Sequence, residues 1–444
     1  MKKYIALFII CMIFSSLLLL AIQSPTVDYF PYPITQFTLP NGLQVILSED
    51  YSLPTVSVTV MYHAGSINDP DGKSGLAYLI ENLMFQGSRN VGRMQHINFI
   101  SRIGGWFNAA THADRIVFQQ TIPSNQLGLL LWLESDRMSS LQITRDKVEW
   151  VKRNQSLNTI QYRKTENPFL ADSLYFDQLL FGDYSYNHPL FGLESEVRQL
   201  SVDDVVAFYS TYMRPNNAVL SICGHFELEE ARELVNRFFL TVPPSEKIPE
   251  FPNIPFRQMP EAMEFTQSSL VPSPAIFLGY RLPPPFPSEH YVLTLCEYLL
   301  MKGTTSRLYK RLIKRDRVAS QISGGMEIRR DRAVLKIFAS INNELLRSRS
   351  RRALVSEMGR LTTSPVSTEE LNKAKSLLKS DYMSRIHTTS GRSEFLAEIY
   401  LRHGTAEQAR FELGNYMNIL PHRLMLTANT AFSGFYVVLD VLRK

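Results

Sequence analysis

Beyond an apolar opening stretch, the chain alternates between period-two and period-3.6 patterns of apolar and polar positions. FTLPNGLQVILSED (37–50) sets two short runs around Asn41-Gly42, a pair suited to a tight hairpin turn, and predicts two paired strands. PTVSVTVMYHAGS (54–66) alternates as a strand does and predicts a third strand. A Gly/Asp/Pro loop (67–73) leads into SGLAYLIENLMF (74–85), which reads as a helix. GGWFNAATHADRIVFQQTIP (104–123) reads as paired strands, and 124–141 and 145–164 carry apolar residues at helical spacing. Ser201, three residues before Asp204, caps a predicted helix over 201–213. AVLSICGHF (218–226) reads as a strand and EEARELVNRFF (229–239) as a helix.

Residues 240–262 are rich in proline and lack any period, which marks a linker. Beyond it the order recurs. A strand at 275–284 precedes a helix running from His290 to about Ile313, and paired strands near 318–341 follow. Helices are predicted at 344–361 and 367–386, the second opened by Ser367 and Glu370, and a last helix leads into the strand FYVVLDVL (435–442). Both parts share the order strand, helix, strand pair, helix, helix, strand. The pattern predicts an α+β chain of two similar halves, each a mostly antiparallel sheet covered by helices. The divisions are a leader at 1–25, a first half at 26–240, a linker at 241–262 and a second half at 263–444.

Composition narrows the class. With 444 residues, 45% apolar, 26 Phe and 20 Tyr, the chain can fill at least two cores. A net charge of +5, two units of it from Lys2 and Lys3, is too small to suggest nucleic acid as a partner. The basic cluster KRLIKRDR (310–317) reads as a solvated helix face in preference to an anion site. Met1-Lys2-Lys3 followed by apolar residues from Tyr4 to Ile22 is an export signal, either cleaved or retained as a membrane anchor. The compact double-lysine leader resembles a bacterial secretory signal, so the expected location is the periplasm, free or tethered to the inner membrane. Outside the leader only Cys223 and Cys296 remain, each in an apolar run, and they read as buried small hydrophobes rather than as a disulfide or metal site.

The most informative stretch is Gly75-Leu-Ala-Tyr78-Leu-Ile-Glu81-Asn82-Leu-Met-Phe-Gln-Gly-Ser88. Positions 78 and 82 share a helix face, and Glu81 adjoins it. Two histidines there would offer imidazoles to zinc, with the glutamate placed to activate a metal-bound water. This stretch, with its Gly-Leu-Ala…Phe-x-Gly-Ser frame, resembles the pitrilysin/insulinase family of inverted zinc peptidases, with Tyr78 and Asn82 standing where that family has its histidines. FNAATHADRIVFQQTIPSNQLGLLLWLESDRM (107–138) resembles the family's substrate-edge strand and following helix, so the resemblance places peptide binding at Phe107, Asn108, Ala109, Ala110 and Thr111. VKRNQSLNTIQYRKTENPF (151–169) resembles the stretch that normally gives a third, glutamate ligand, and Gln155 stands there. TTSRLYKRLIKRDRVASQIS (304–323) resembles the opening of the family's second half, where an Arg and a Tyr seven residues apart hold the substrate carbonyl; Ile313 and Ser320 stand at those places.

The resemblance implies a metalloprotease LuxS/MPP-like fold. It also implies a catalytically inactive homologue: of the motif only Glu81 survives, as a vestige, and no cofactor is expected where active relatives hold zinc. A phenol and two neutral amides are poor replacements for two imidazoles and a carboxylate. Relatives build a chamber from two such two-domain chains, one of which can lack catalytic residues. The chain is therefore expected to be the non-catalytic subunit of a heterodimeric envelope peptidase, paired with a related chain whose zinc motif is intact, and to bind peptide substrates. Two other readings stay open: an active zinc endopeptidase with atypical ligands, and a free-standing envelope binding or scaffold protein.

Overall fold

A computed structural model describes residues 28–182, 188–250, 262–282, 287–329 and 333–444. The leader at 1–25 and the centre of the linker, 251–261, lie outside the described residues. The first sheet holds β1 (Thr35–Thr38), β2 (Gln44–Glu49), β3 (Thr55–Tyr62), β4 (Trp106–Thr111), β5 (Ile116–Pro123) and β6 (Ala218–Gly224), in the spatial order β1-β2-β6-β3-β5-β4. The second holds β7 (Met263–Ser269), β8 (Ala275–Leu282), β9 (Ala319–Ile328), β10 (Ala333–Ile341) and β11 (Tyr436–Arg443), in the order β7-β11-β8-β10-β9. Among the described residues only β2 with β6 and β7 with β11 run parallel. Laid over one another, β2 to β6 match β7 to β11 in neighbours and in sense, and β1 is an addition to the first half. The structure thus has the two similar α+β halves that element order predicts.

The first half carries helices α1 (Leu76–Leu83), α2 (Gln95–Arg102), α3 (Leu127–Ser140), α4 (Arg145–Val151), α5 (Leu157–Glu166), α6 (Leu170–Phe181), α7 (Glu194–Gln199), α8 (Val202–Tyr212) and α9 (Leu228–Phe239). The second carries α10 (Pro287–Met301), α11 (Arg347–Thr363), α12 (Thr368–His387), α13 (Thr389–His403), α14 (Ala409–Met417) and α15 (Pro421–Phe432). Sequence periodicity missed β7, α2, α6, α7, α13 and α14. It also drew one helix too long. The helix expected from His290 to Ile313 ends at Met301, where Gly303 turns the backbone at φ +75°, and a π-helical turn, Tyr309–Arg315, follows. The helix at 145–164 is likewise interrupted by a π-helical turn at Lys152–Ser156. Capping was read correctly: the Ser201 side chain accepts from the Asp204 amide, and the Asp204 side chain returns to the Ser201 amide.

The halves are tied by a reciprocal exchange of helices. α6, from the first half, packs Phe176, Leu180 and Phe181 against Phe277, Val437 and Leu439 of the second sheet. α13, from the second half, lays Phe395, Leu396, Ala397 and Ile399 over Ile46, Met61, Val219 and Cys223 of the first. Each sheet is therefore buried on both faces, its other face being covered by helices of its own half. At about 1.5–3 kcal/mol for each large apolar side chain removed from water, the exchange contributes strongly to holding the halves together. α6 can approach β8 this closely because residue 279 is glycine: a Cβ there would sit 2.7 Å from Phe176 Cζ and 3.0 Å from Leu180 Cδ1. Both cysteines are free and buried, and burial pushes their thiols up, Cys223 to about 11 and Cys296 to about 12.

Candidate functional site

α1 begins where the loop from β3 returns to the sheet. The buried Asp69 carboxylate accepts the amides of Gly75 at 2.7 Å and Ala77 at 2.8 Å and so caps the helix from outside its own sequence. Leu76, Ala77, Leu79, Ile80 and Leu83 face the core, which leaves Tyr78, Glu81 and Asn82 to meet β4 on one side and the α4–α5 segment on the other. Glu81 Oε2 accepts the Thr111 hydroxyl at 2.6 Å, so the surviving motif carboxylate is held by the last residue of β4. Burial pushes the Glu81 carboxyl above its ordinary value, against the opposing pull of the Thr111 hydrogen bonds.

The two positions four residues apart are occupied in other work. The Tyr78 hydroxyl lies 2.9 Å from Thr159 Oγ1 on α5, and Asn82 Nδ2 donates back to the Tyr78 carbonyl at 2.8 Å. Gln155 stands in the Lys152–Ser156 turn, which packs against α1, and its buried Oε1 has no hydrogen-bond partner. The structure brings α1 and the residue-155 turn into contact and places a phenol, two amides and one carboxylate on them. These donors do not fit a zinc ion: the only anionic side chain among the four is Glu81, which is bonded to Thr111, and neither amide can take the place of an imidazole or a thiolate. Among the described residues no three His, Cys, Asp or Glu side chains gather at metal-binding distance.

β4 is the last strand of the first sheet. Residues 107–111 pair with β5 along one edge, and among the described residues no strand pairs with the other. Trp106 is half exposed at its start, while Thr111 is buried at its end. Past that end, Asp114 and Arg115 line a cleft of about 670 Å³ between the halves, faced by Glu297, Met326 and Arg329 of the second. At the other two places suggested by resemblance, Ile313 is partly buried against the second core, and Ser320 Oγ lies 3.1 Å from Ser340 Oγ. Neither presents a guanidinium or phenol.

Behind β4 and β5 lies a polar network that sequence reasoning overlooked. His96 Nε2 and Gln120 Oε1 are 2.9 Å apart, Gln120 donates to Glu134, and Arg137 Nε donates to Glu134 at 3.0 Å, with its guanidinium 4.1 Å above the Phe118 ring. Burial, aided by Arg137, pushes the His96 imidazole down to about 3, so it stays neutral beside Glu134 and the 3.7 Å approach between them is not an ion pair. The signal was present: Glu134, Asp136 and Arg137 interrupt an otherwise apolar helix.

Two family models match this chain, one described as insulinase (peptidase family M16) over residues 44–179 and one as the peptidase M16 inactive domain over 199–378. The chain belongs to this insulinase-type peptidase family. It is 26% identical to a protein named zinc protease PqqE from Helicobacter pylori, over 80% of each chain. It is 22% identical to an uncharacterized zinc protease of Rickettsia bellii, over 89% of this chain and 94% of that one. Its fold is shared with a crystal structure of a protease from Helicobacter pylori (TM-score 0.83, 22% identity, 93% of this chain and 99% of the other). It is shared equally with a peptidase M16 inactive domain from Pseudomonas fluorescens (TM-score 0.83, 16% identity, 93% and 98%).

Proposed function

We propose that this chain is a pseudo-peptidase: a non-catalytic member of the family that contributes half of a peptide-binding chamber and leaves hydrolysis to a partner. The observation that carries the reading is the donor set at the α1 site. Tyr78 bonds to Thr159, Asn82 folds back on its own helix, Gln155 is a neutral amide, and Glu81 is sequestered by Thr111. With no ligand set for an activating ion, Glu81 has no polarised water to deprotonate.

Binding remains within the fold's means. An extended peptide can add to the open edge of β4 along Phe107, Asn108, Ala109, Ala110 and Thr111, drawing on main-chain hydrogen bonds. Such a peptide would run toward the cleft between the halves. The partner in this reading is a related chain with an intact His-x-x-Glu-His motif, in the bacterial periplasm or on the inner membrane. Among the described residues no helix is long and apolar enough to cross a membrane, so any tether rests on the leader.

The test is to express this chain with a relative bearing the intact motif, purify through a tag on one of them, and assay peptide hydrolysis. Co-purification, and cleavage that changes in rate or specificity when this chain is present, supports the reading. Zinc-dependent cleavage by this chain alone would replace it with an active peptidase using unusual ligands. Two chains that neither associate nor alter each other's proteolysis would leave a free-standing binding protein.

A further inference from the structure

The charge of this protein is unevenly divided. Residues 263–444 hold 27 Lys and Arg against 16 Asp and Glu, a net of +11, whereas residues 26–262 hold 18 against 26, a net of −8. The modest overall charge therefore conceals a strongly basic second half, whose field draws anions toward it.

That charge converges on one open pocket of about 520 Å³, beside the π-helical turn Tyr309–Arg315. Its walls are Arg307, Lys310, Arg311, Lys314, Arg315 and Arg360, together with Glu357 and Glu370. No apolar side chain lines it. Four of the cations are fixed by carboxylates: Arg307 grips Glu370 with two bonds of 2.7 and 2.8 Å, Arg311 and Arg315 share Asp316 at 2.7 and 3.2 Å, and Arg360 reaches Glu357 at 3.3 Å. The pairs of Arg307 and Arg311, the two least exposed of the four, hold their guanidinium planes in place before any ligand arrives, which lowers the ordering cost of binding. They also consume three carboxylates: six cations against Glu357, Glu370 and Asp316 leave a surplus of three positive charges. Among the described residues Lys310 and Lys314 form no ion pair, and Arg307 Nη1 has no acceptor.

We infer that this pocket binds a compact, multiply charged oxyanion of the phosphate class. A pocket of this size matches small-molecule sites, but those sites are walled mostly by apolar side chains that hold a ligand's body. Here every lining residue is charged, with aliphatic stems giving the apolar part of the wall, and Arg with Lys is a pairing suited to phosphoryl oxygens. The π-helical turn carries Lys310, Arg311, Lys314 and Arg315, spaced so that they share one face. The phosphate can come from a free polyphosphate or from a phospholipid headgroup.

Calorimetric titration of the full chain with inorganic pyrophosphate tests the pocket, and flotation with phosphatidylglycerol vesicles, against phosphatidylcholine, separates the two sources. Expected is one-site binding of pyrophosphate, weakened at least about tenfold by the double substitution Lys310→Gln/Lys314→Gln, since each lysine gives a charge-assisted hydrogen bond. Arg349→Gln, an exposed cation outside the pocket, should leave it unchanged. Vesicle capture that pyrophosphate competes away assigns the headgroup, and pyrophosphate binding without capture assigns the free anion. Absence of both, an equal loss from Arg349→Gln, or binding by an acidic peptide but not by pyrophosphate overturns the proposal. Circular dichroism and thermal unfolding of the variants check that each is folded.

Discussion

Arg392, fully buried near the start of α13, donates to the Asp50 carboxylate at 2.6 Å, so a guanidinium from the second half terminates on the end of β2 in the first. The same guanidinium lies 3.5 Å above the ring of Tyr32. Around it, Ser57 lies 2.7 Å from Thr389, Thr59 lies 2.7 Å from Ser393, and Gln119 Nε2 donates to the Ser390 carbonyl at 2.8 Å. The junction between the halves is thus a polar seam set into apolar packing.

Removing one member of that pair leaves a buried charge uncompensated. Asp50→Asn, which strands the fully buried Arg392 guanidinium, is expected to destabilise the fold by about 3–5 kcal/mol, and the double variant Asp50→Asn/Arg392→Met by less than the sum of the two singles. Denaturant unfolding of the four proteins reads the coupling. Strict additivity would show that the contact carries no net interaction.

The close approach of α6 to β8 makes a second test. Gly279→Ala places a methyl group within 2.7 Å of the Phe176 ring, so α6 must lift or Phe176 must change rotamer. The expected cost is about 1–3 kcal/mol, together with faster proteolysis around residues 170–181. Unchanged stability and protease resistance would mean that α6 is free to move.

Glu81 should leave a signature in the pH dependence of stability. Its carboxyl is raised in the fold, so the protonated form is the one the folded state favours. Stability contributed by this group is present below the unfolded value of about 4.3 and falls as pH rises through the folded value. Glu81→Gln, which keeps an acceptor for Thr111, is therefore expected to match the parent near pH 4 and exceed it in melting temperature near pH 7. A variant less stable at pH 7 than at pH 4, relative to the parent, would contradict this.

Two histidines act in the opposite sense. Burial pushes His96 and His290 each down to about 3, so both are neutral in the fold and must gain a proton on unfolding below about 6.5. Unfolding free energy should fall as pH drops from about 6.5 toward 3, by up to about 1.4 kcal/mol per pH unit for each group. His96→Gln is expected to flatten this slope without abolishing it, as followed by unfolding at a series of pH values.

Rebuilding the ligand set tests the donor argument directly. Tyr78→His, Asn82→His and Gln155→Glu together restore two imidazoles and a carboxylate on elements that already meet. The triple variant is expected to bind zinc stoichiometrically where the parent does not, measured by metal analysis after dialysis. Equal zinc content in both would show that the parent's donors suffice.

Much of this protein is decided by short-range pattern. The hairpin at Asn41-Gly42, the capping box at Ser201, the alternation of β3 and the helical spacing through α3 each depend on a few neighbouring residues, and the recurrence of element order predicts two alike halves. The motif frame around residues 75–88 likewise shows, from side-chain chemistry alone, which donors are present. What the chain cannot express locally is which sheet a helix covers. α6 and α13 cross to the opposite half, and that exchange turns Ser57, Thr59 and Ser221, polar positions that alternation assigns to a wet face, into fully buried ones. The basic pocket has the same character: the cluster at 310–317 reads as a solvated helix face, Arg360 and Glu370 lie far from it in sequence, and only the folding of α11 against the 309–315 turn and of α12 against Arg307 gathers them. Hydrogen-bond caps and strand periods are satisfied within a few residues, whereas burial and electrostatic surplus are sums over everything nearby in space, so only the tertiary structure fixes them.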